Sequence, residues 1–149
     1  MKFQFIFFLI SLTLSYDPDA AANYAMEYCA NYNPYYPNYA DLGGDCANFV
    51  SQAMIAGGFS FDDCYVTWLD EYGCCPRVED IMSCLDQKGW KQYWSVPPNF
   101  RRGYPLFLTD HSHAMIACDY DGNDVYFCGH TYDVCGYPVY FDAIYYTPG

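Results

Sequence analysis

The chain has 149 residues and carries 18 Asp and Glu against 6 Lys and Arg, a formal net charge of −12 at pH 7 with the histidines neutral. That balance excludes a nucleic-acid binder, because neutralising phosphates takes clustered Lys and Arg, and only Arg101-Arg102 forms a basic pair. The length suits one domain with one sizeable core, and neither an internal repeat nor a Ser/Gly or Pro-rich linker divides it.

The opening reads as a signal peptide. Lys2 precedes an apolar run from Phe5 to Ile10 that continues through Leu12 and Leu14, with small residues at Ser11, Thr13 and Ser15. The run is shorter than the roughly 20 residues a membrane-spanning helix needs. Residues 1–15 are therefore expected to be removed, leaving 16–149 as a secreted domain with no membrane attachment and no requirement for a second copy.

Asp17-Pro18 sets a carboxylate N-cap before a proline at the first helical position, and Ala20 to Ala30 follows with helix formers at helical spacing. This predicts a first helix ending near Asn33-Pro34. The loop from there to Gly44 is rich in Asn, Pro and Tyr; with 18 Tyr in the chain, ordinary packing and a ring-lined groove both account for it. Asp45 then caps a second helix with an apolar stripe of Phe49, Val50, Ala53 and Met54, stopped by Gly57-Gly58. On its polar side Asn48, Ser51 and Gln52 are expected at the surface, with Gln52 near enough to line a cleft. A third helix is predicted over Val78 to Lys88, stopped by Gly89. Beyond it Trp90–Trp94, Tyr104–Leu108, Ala114–Cys118, Val125–Cys128 and Val139–Tyr146 read as strands, separated by Pro-Pro, Asp-Gly-Asn and Gly-Tyr-Pro turn signals. Helices first and an antiparallel sheet afterwards is an α+β order.

Nine cysteines, at 29, 46, 64, 74, 75, 84, 118, 128 and 135, leave at least one unpaired in an oxidising compartment. Eight of them suffice for four bridges, and no spacing matches a zinc ribbon; adjacent Cys74-Cys75 suit two separate bridges better than one metal. Cys46 is the candidate to remain free. It stands at the first residue of the second helix behind Gly43-Gly44-Asp45, where unpaired amides and the positive end of the helix dipole favour a thiolate. The same amides can hold an oxyanion. His113, heading the strand Ala114-Met115-Ile116-Ala117, is the expected general base and acid, and His130, closing the partner strand of that hairpin, is the expected third member that holds its ring. Catalytic Cys46, His113 and His130, with Asp45, Cys46 and Gln52 around the oxyanion or cleft, make up the expected site; no cofactor is required.

The segment Gly43-Gly44-Asp45-Cys46-Ala47-Asn48-Phe49-Val50-Ser51-Gln52, with the Ala-Met-Ile-Ala-Gly-Gly that follows, resembles the signature of the putative amidase domain family, relatives of the CHAP and NlpC-type hydrolases. The Tyr24-Ala25 helix, Asn33-Pro34-Tyr35-Tyr36, His113-Ala114-Met115-Ile116 and His130-Thr131 extend the likeness over nearly all of the expected mature chain. The resemblance implies a papain-like fold, a cysteine nucleophile and cleavage of amide or peptide bonds, with peptidoglycan as one substrate class. Two features depart from it: Arg102-Gly103-Tyr104-Pro105 stands where a Gly-Asp pair is common, and the eight further cysteines are unusual. Two other readings stay open on the residues alone. Asp110, His111, His113 and His130 offer zinc-type ligands, and a non-catalytic, disulfide-rich binding module would use every cysteine structurally.

Overall fold

In the computed structural model, which describes residues 15–149, helix α1 (Pro18–Tyr28) begins as its sequence dictates. The Asp17 carboxylate accepts the Ala20 amide at 3.1 Å, and Pro18 fills the first helical position, where its missing N–H costs nothing. The expected signal segment, Ser15 apart, lies outside the described residues. Ala21, Ala22 and Ala25 face inward, and their small side chains let α1 pack against α2 (Cys46–Ala56). Helix α2 is buried from Ala47 through Met54 and forms the centre of the molecule. Helix α3 (Val78–Gln87) buries Ile81, Met82 and Leu85 and stops before Gly89.

The sheet contains β1 (Lys91–Tyr93), β2 (Pro105–Leu108), β3 (Ala114–Tyr120), β4 (Val125–Gly129), β5 (Val134–Pro138) and β6 (Ala143–Thr147), every neighbour antiparallel, in the order β1-β6-β2-β3-β4-β5. Alternation along the strands sends side chains to opposite faces. Phe107, Ala114, Ile116, Ile144 and Tyr146 join Phe49, Val50 and Met54 on the helical side. Leu106, Met115, Ala117, Phe127 and Tyr145 face the other way, where Phe100, Tyr104 and the flanks of Tyr16 and Trp90 cover them. Three helices on a six-stranded sheet, with both sheet faces covered, give the α+β architecture the sequence order implied.

Four details differ from the sequence reading. Helix α1 ends at Tyr28 rather than near Asn33-Pro34. Gly136-Tyr137-Pro138, expected as a turn, belongs to the edge strand β5; a proline is tolerated there because an edge position leaves its missing donor facing no partner. The last strand starts at Ala143 rather than Val139. Three disulfides form rather than four: Cys29–Cys135, Cys64–Cys84 and Cys118–Cys128. Cys74 and Cys75 remain buried thiols because their loop is pinned by other means. Asp70 accepts the Cys74 amide at 2.9 Å, and the Ser51 hydroxyl exchanges hydrogen bonds with the Cys75 backbone at 3.0 and 3.1 Å.

The domain closes from Tyr16 onward. The Tyr16 hydroxyl donates to the Gly103 carbonyl at 2.6 Å, and a side chain at Gly103 would collide with the Pro18 backbone, so only glycine lets this strap lie across the sheet. Cys29–Cys135 fastens the end of α1 to the edge strand across 106 residues of chain, whereas Cys64–Cys84 encloses only 20. Because stabilisation by a bridge grows with the loop it closes, the Cys29→Ala/Cys135→Ala protein is expected to lose about 5 kcal/mol and the Cys64→Ala/Cys84→Ala protein about 3 kcal/mol. Urea unfolding of the two variants checks the order.

Candidate active site

Between the 3-10 turn Ala40–Leu42 and α2 the chain passes through Gly43 and Gly44, both with positive φ. A Cβ on Gly44 would stand 3.1 Å from Thr131 Oγ1, so glycine is what lets this turn close against the chain just beyond β4. Cys46 is thereby delivered as the first residue of α2, partly exposed.

Asp45 occupies the N-cap position, yet its side chain caps nothing. One carboxylate oxygen accepts the Tyr39 amide and Asn48 Nδ2, each at 2.9 Å, and the other meets His130 Nδ1 at 2.7 Å. With the carboxylate committed sideways, the amides of Cys46, Ala47 and Asn48 have no hydrogen-bond partner among the described residues. They are the unsatisfied donors that every helix start presents, here beside a thiol.

His130 is buried as deeply as Asp45, each only 1 % exposed. Its Nε2 lies 2.8 Å from the Tyr28 carbonyl. Both ring nitrogens are thus engaged with oxygen atoms, and the rings of Phe49 and Tyr32 stack on the imidazole at 3.9 and 4.0 Å. The sequence reading gave His130 to His113 as its orienting partner; in the structure neither nitrogen is free for that task.

His113 sits at the head of β3, its carbonyl accepting the Leu108 amide. Its Nε2 is 3.6 Å from the point a Cβ on Gly129 would occupy, and Met115 Cγ is 3.8 Å from the same point. The ring therefore stands beside Met115, in the row of residues facing away from α2, while Ala114 and Ile116 face the helix. Burial alone lowers its pKa below the ordinary 6.5. Cys46 Sγ makes no hydrogen bond to either histidine, so the structure gathers Cys46, Asp45 and His130 at one helix end and leaves His113 apart from them, beside Met115 and Gly129.

The polar residues of α2 are not surface residues, as expected, but interior ones. Gln52 accepts the Tyr24 hydroxyl at 2.7 Å, Ser51 holds Cys75, and Asn48 donates to the Pro37 carbonyl at 2.8 Å. Asn48 Oδ1 is buried without a partner. A helix covered on every side leaves its polar residues no route to solvent, so each must find an internal mate. Among the described residues no three His, Cys, Asp or Glu side chains are arranged to hold a metal, and His130 is engaged elsewhere than with Asp110 and His111. The residues the sequence reading missed are Tyr28, Tyr32 and Tyr39, which act through a carbonyl, a ring face and an amide; no motif marks such roles.

A family model described as a putative amidase domain matches residues 15–105. The matched span contains the Cys46 segment and stops short of His113 and His130. No curated protein and no solved structure matches the chain.

Removing the Asp45 carboxylate leaves the Tyr39 amide, Asn48 Nδ2 and His130 Nδ1 without their buried partner, so Asp45→Ala is expected to destabilise the fold by about 3 kcal/mol or more in urea unfolding.

Proposed function

The chain belongs to the putative amidase domain family, and from that membership we propose that it is a secreted cysteine amidase or peptidase of papain-like arrangement, related to the CHAP and NlpC-type hydrolases, with Cys46 as nucleophile and peptide amides, those of bacterial wall peptides among them, as substrates. One contrast among thiols carries the reading. Cys74 and Cys75 are sealed in the interior, where burial pushes the Cys75 thiol up to about 12 and raises Cys74 as well. Cys46 alone of the three unbridged thiols reaches solvent, and it does so at a helix start with uncommitted amides. Three disulfides fit the oxidising surroundings of an exported protein, and no described helix is long and apolar enough to cross a membrane.

The chemistry follows from these positions. Cys46 gives its thiol proton to His113 as its sulfur attacks the amide carbonyl carbon, and the electron pair of the C=O moves to oxygen, where the amides of α2 hold it; each such donor is worth about 3 kcal/mol in enzymes. Collapse of the tetrahedral adduct expels the amine, which takes a proton from His113 and leaves a thioester on Cys46. His113 then removes a proton from water as it attacks the thioester, and the acid departs as that proton returns to the sulfur. His113 is therefore needed at the thiol, at the leaving group and at the water, and among the described residues neither of its ring nitrogens is committed to a hydrogen bond. His130 belongs to the scaffold, holding Asp45 at the start of α2.

Cys46→Ala should abolish turnover of peptide amides while moving Tm little, since the side chain is only partly buried; labelling of the unmodified protein with a thiol-directed probe and peptide mapping should find the label on Cys46. Surviving activity in the variant, or label on another cysteine, overturns the assignment. On an ester substrate, where deacylation limits kcat, the rate needs neutral His113. Its lowered pKa places the acid limb below pH 6.5, so kcat should hold from pH 7 down to that point and fall only beneath it; a limb above pH 7 rules His113 out as base.

A further inference from the structure

We propose that a strip of aromatic rings and carboxylates along α2 binds an ammonium-bearing segment of the substrate, some four residues from the bond that is cleaved. The inference rests on the Cys46 reading for its direction and on separate residues for its chemistry.

The strip begins at the site. Tyr39, whose amide is on Asp45, packs edge-on against Trp68 at 5.2 Å and donates its hydroxyl to Asp70 at 3.0 Å. Asp70 in turn fixes the Tyr72 and Cys74 amides at 2.9 Å each, so the loop that follows is held in register with Cys46. Tyr72 closes a three-ring group with Tyr35 and Tyr36, centroids 5.0 to 6.0 Å apart, in which Tyr35 remains 69 % exposed.

Tyr72 also forms one side of a hollow of about 360 Å³, walled by Ile55, Phe59 and Phe61 and rimmed by Asp62 and Glu71. Neither of these two carboxylates has an ion-pair partner among the described residues, and the nearby cation Lys88 is committed to Asp63 at 2.7 Å. Lys88 supplies an internal precedent. Its ammonium stands 5.2 Å from the Phe59 ring centroid while paired with that carboxylate, so the molecule already holds one alkylammonium between a ring and an acid at this end. A second, brought by a ligand on an aliphatic stem, would find the same two attractions in the hollow: the exposed ring of Tyr72, and carboxylates with no counter-ion among the described residues. A neutral sugar would engage the rings and leave the charges unused. Ile55 lies nine residues beyond Cys46 on one helix, roughly 14 Å along its axis at 1.5 Å per residue, a span that about four extended peptide residues cover.

The test uses the mature Cys46→Ala protein, so that binding is read without turnover. Two acetyl-capped peptides, identical except that one carries a lysine and the other Nε-acetyl-lysine, are titrated by calorimetry at low salt. The lysine peptide should bind about tenfold more tightly, and Asp62→Asn/Glu71→Gln, which alters exposed side chains only, should reduce that preference below threefold. Equal affinities, binding of neither peptide, or a preference that survives the double variant overturns the proposal, as does tighter binding of a neutral N-acetylglucosamine oligomer that ignores both substitutions. Failure here leaves the probe-labelling result at Cys46 untouched. Conversely, lysine preference in a protein whose Cys46 proves inert would sink the nucleophile and keep the subsite.

Discussion

The contact between Asp45 and His130 is the constraint on which the rest is arranged. One buried ring reaches the start of α2 through the carboxylate, the end of α1 through the Tyr28 carbonyl, and the end of β4 through its own backbone. Burying polar groups this deeply costs free energy unless they find partners. Here they do: Asp45 accepts from the Tyr39 amide and Asn48 and meets His130 Nδ1, while the other ring nitrogen meets the Tyr28 carbonyl and the ring is stacked on both faces. Geometry this complete fixes where α2 begins, and the position of Cys46 follows.

The same pair explains why the helix start is chemically open. An Asp at an N-cap ordinarily folds its carboxylate back onto the first amides, as Asp17 does on Ala20 in α1. At α2 the histidine draws the carboxylate away, and the amides beside the sulfur stay free for another acceptor. Two helices of equal length, each preceded by Asp, thus end in opposite states: α1 capped and structural, α2 uncapped and available. The difference lies in a residue that follows Asp45 by 85 positions.

That distance also marks what the sequence discloses. The helices, most strands and the Asp121-Gly122-Asn123 hairpin are legible because their signals are local: an Asp-Pro start, a glycine stop, alternation of side chains, and a carboxylate that takes the amides of Asn123 and Asp124 at 2.9 and 2.7 Å. The Gly-Gly-Asp-Cys segment is legible for the same reason. Strand β5 is hidden because its Gly and Pro imitate a turn, and only pairing with β4 and the bridge from Cys135 to Cys29 hold it extended. The polar face of α2 misleads for a different reason: period alone cannot tell a helix with one wet side from one enclosed on all sides, and Asn48, Ser51 and Gln52 belong to the second kind. The partner of His130 was beyond reach altogether, since nothing in its neighbourhood distinguishes an imidazole that will meet a carboxylate from one that will meet another imidazole.

The two histidines differ in how firmly the structure holds them. His130, stacked between Phe49 and Tyr32, spends both ring nitrogens on Asp45 and the Tyr28 carbonyl, so the start of α2 is built around a ring that has no room to turn. His113 has no ring hydrogen bond among the described residues; it stands beside Met115 and the bare Cα of Gly129, and burial lowers its pKa below 6.5. Rigidity is thereby concentrated at the helix start that carries Cys46, and the imidazole left with uncommitted nitrogens is the one at the head of β3.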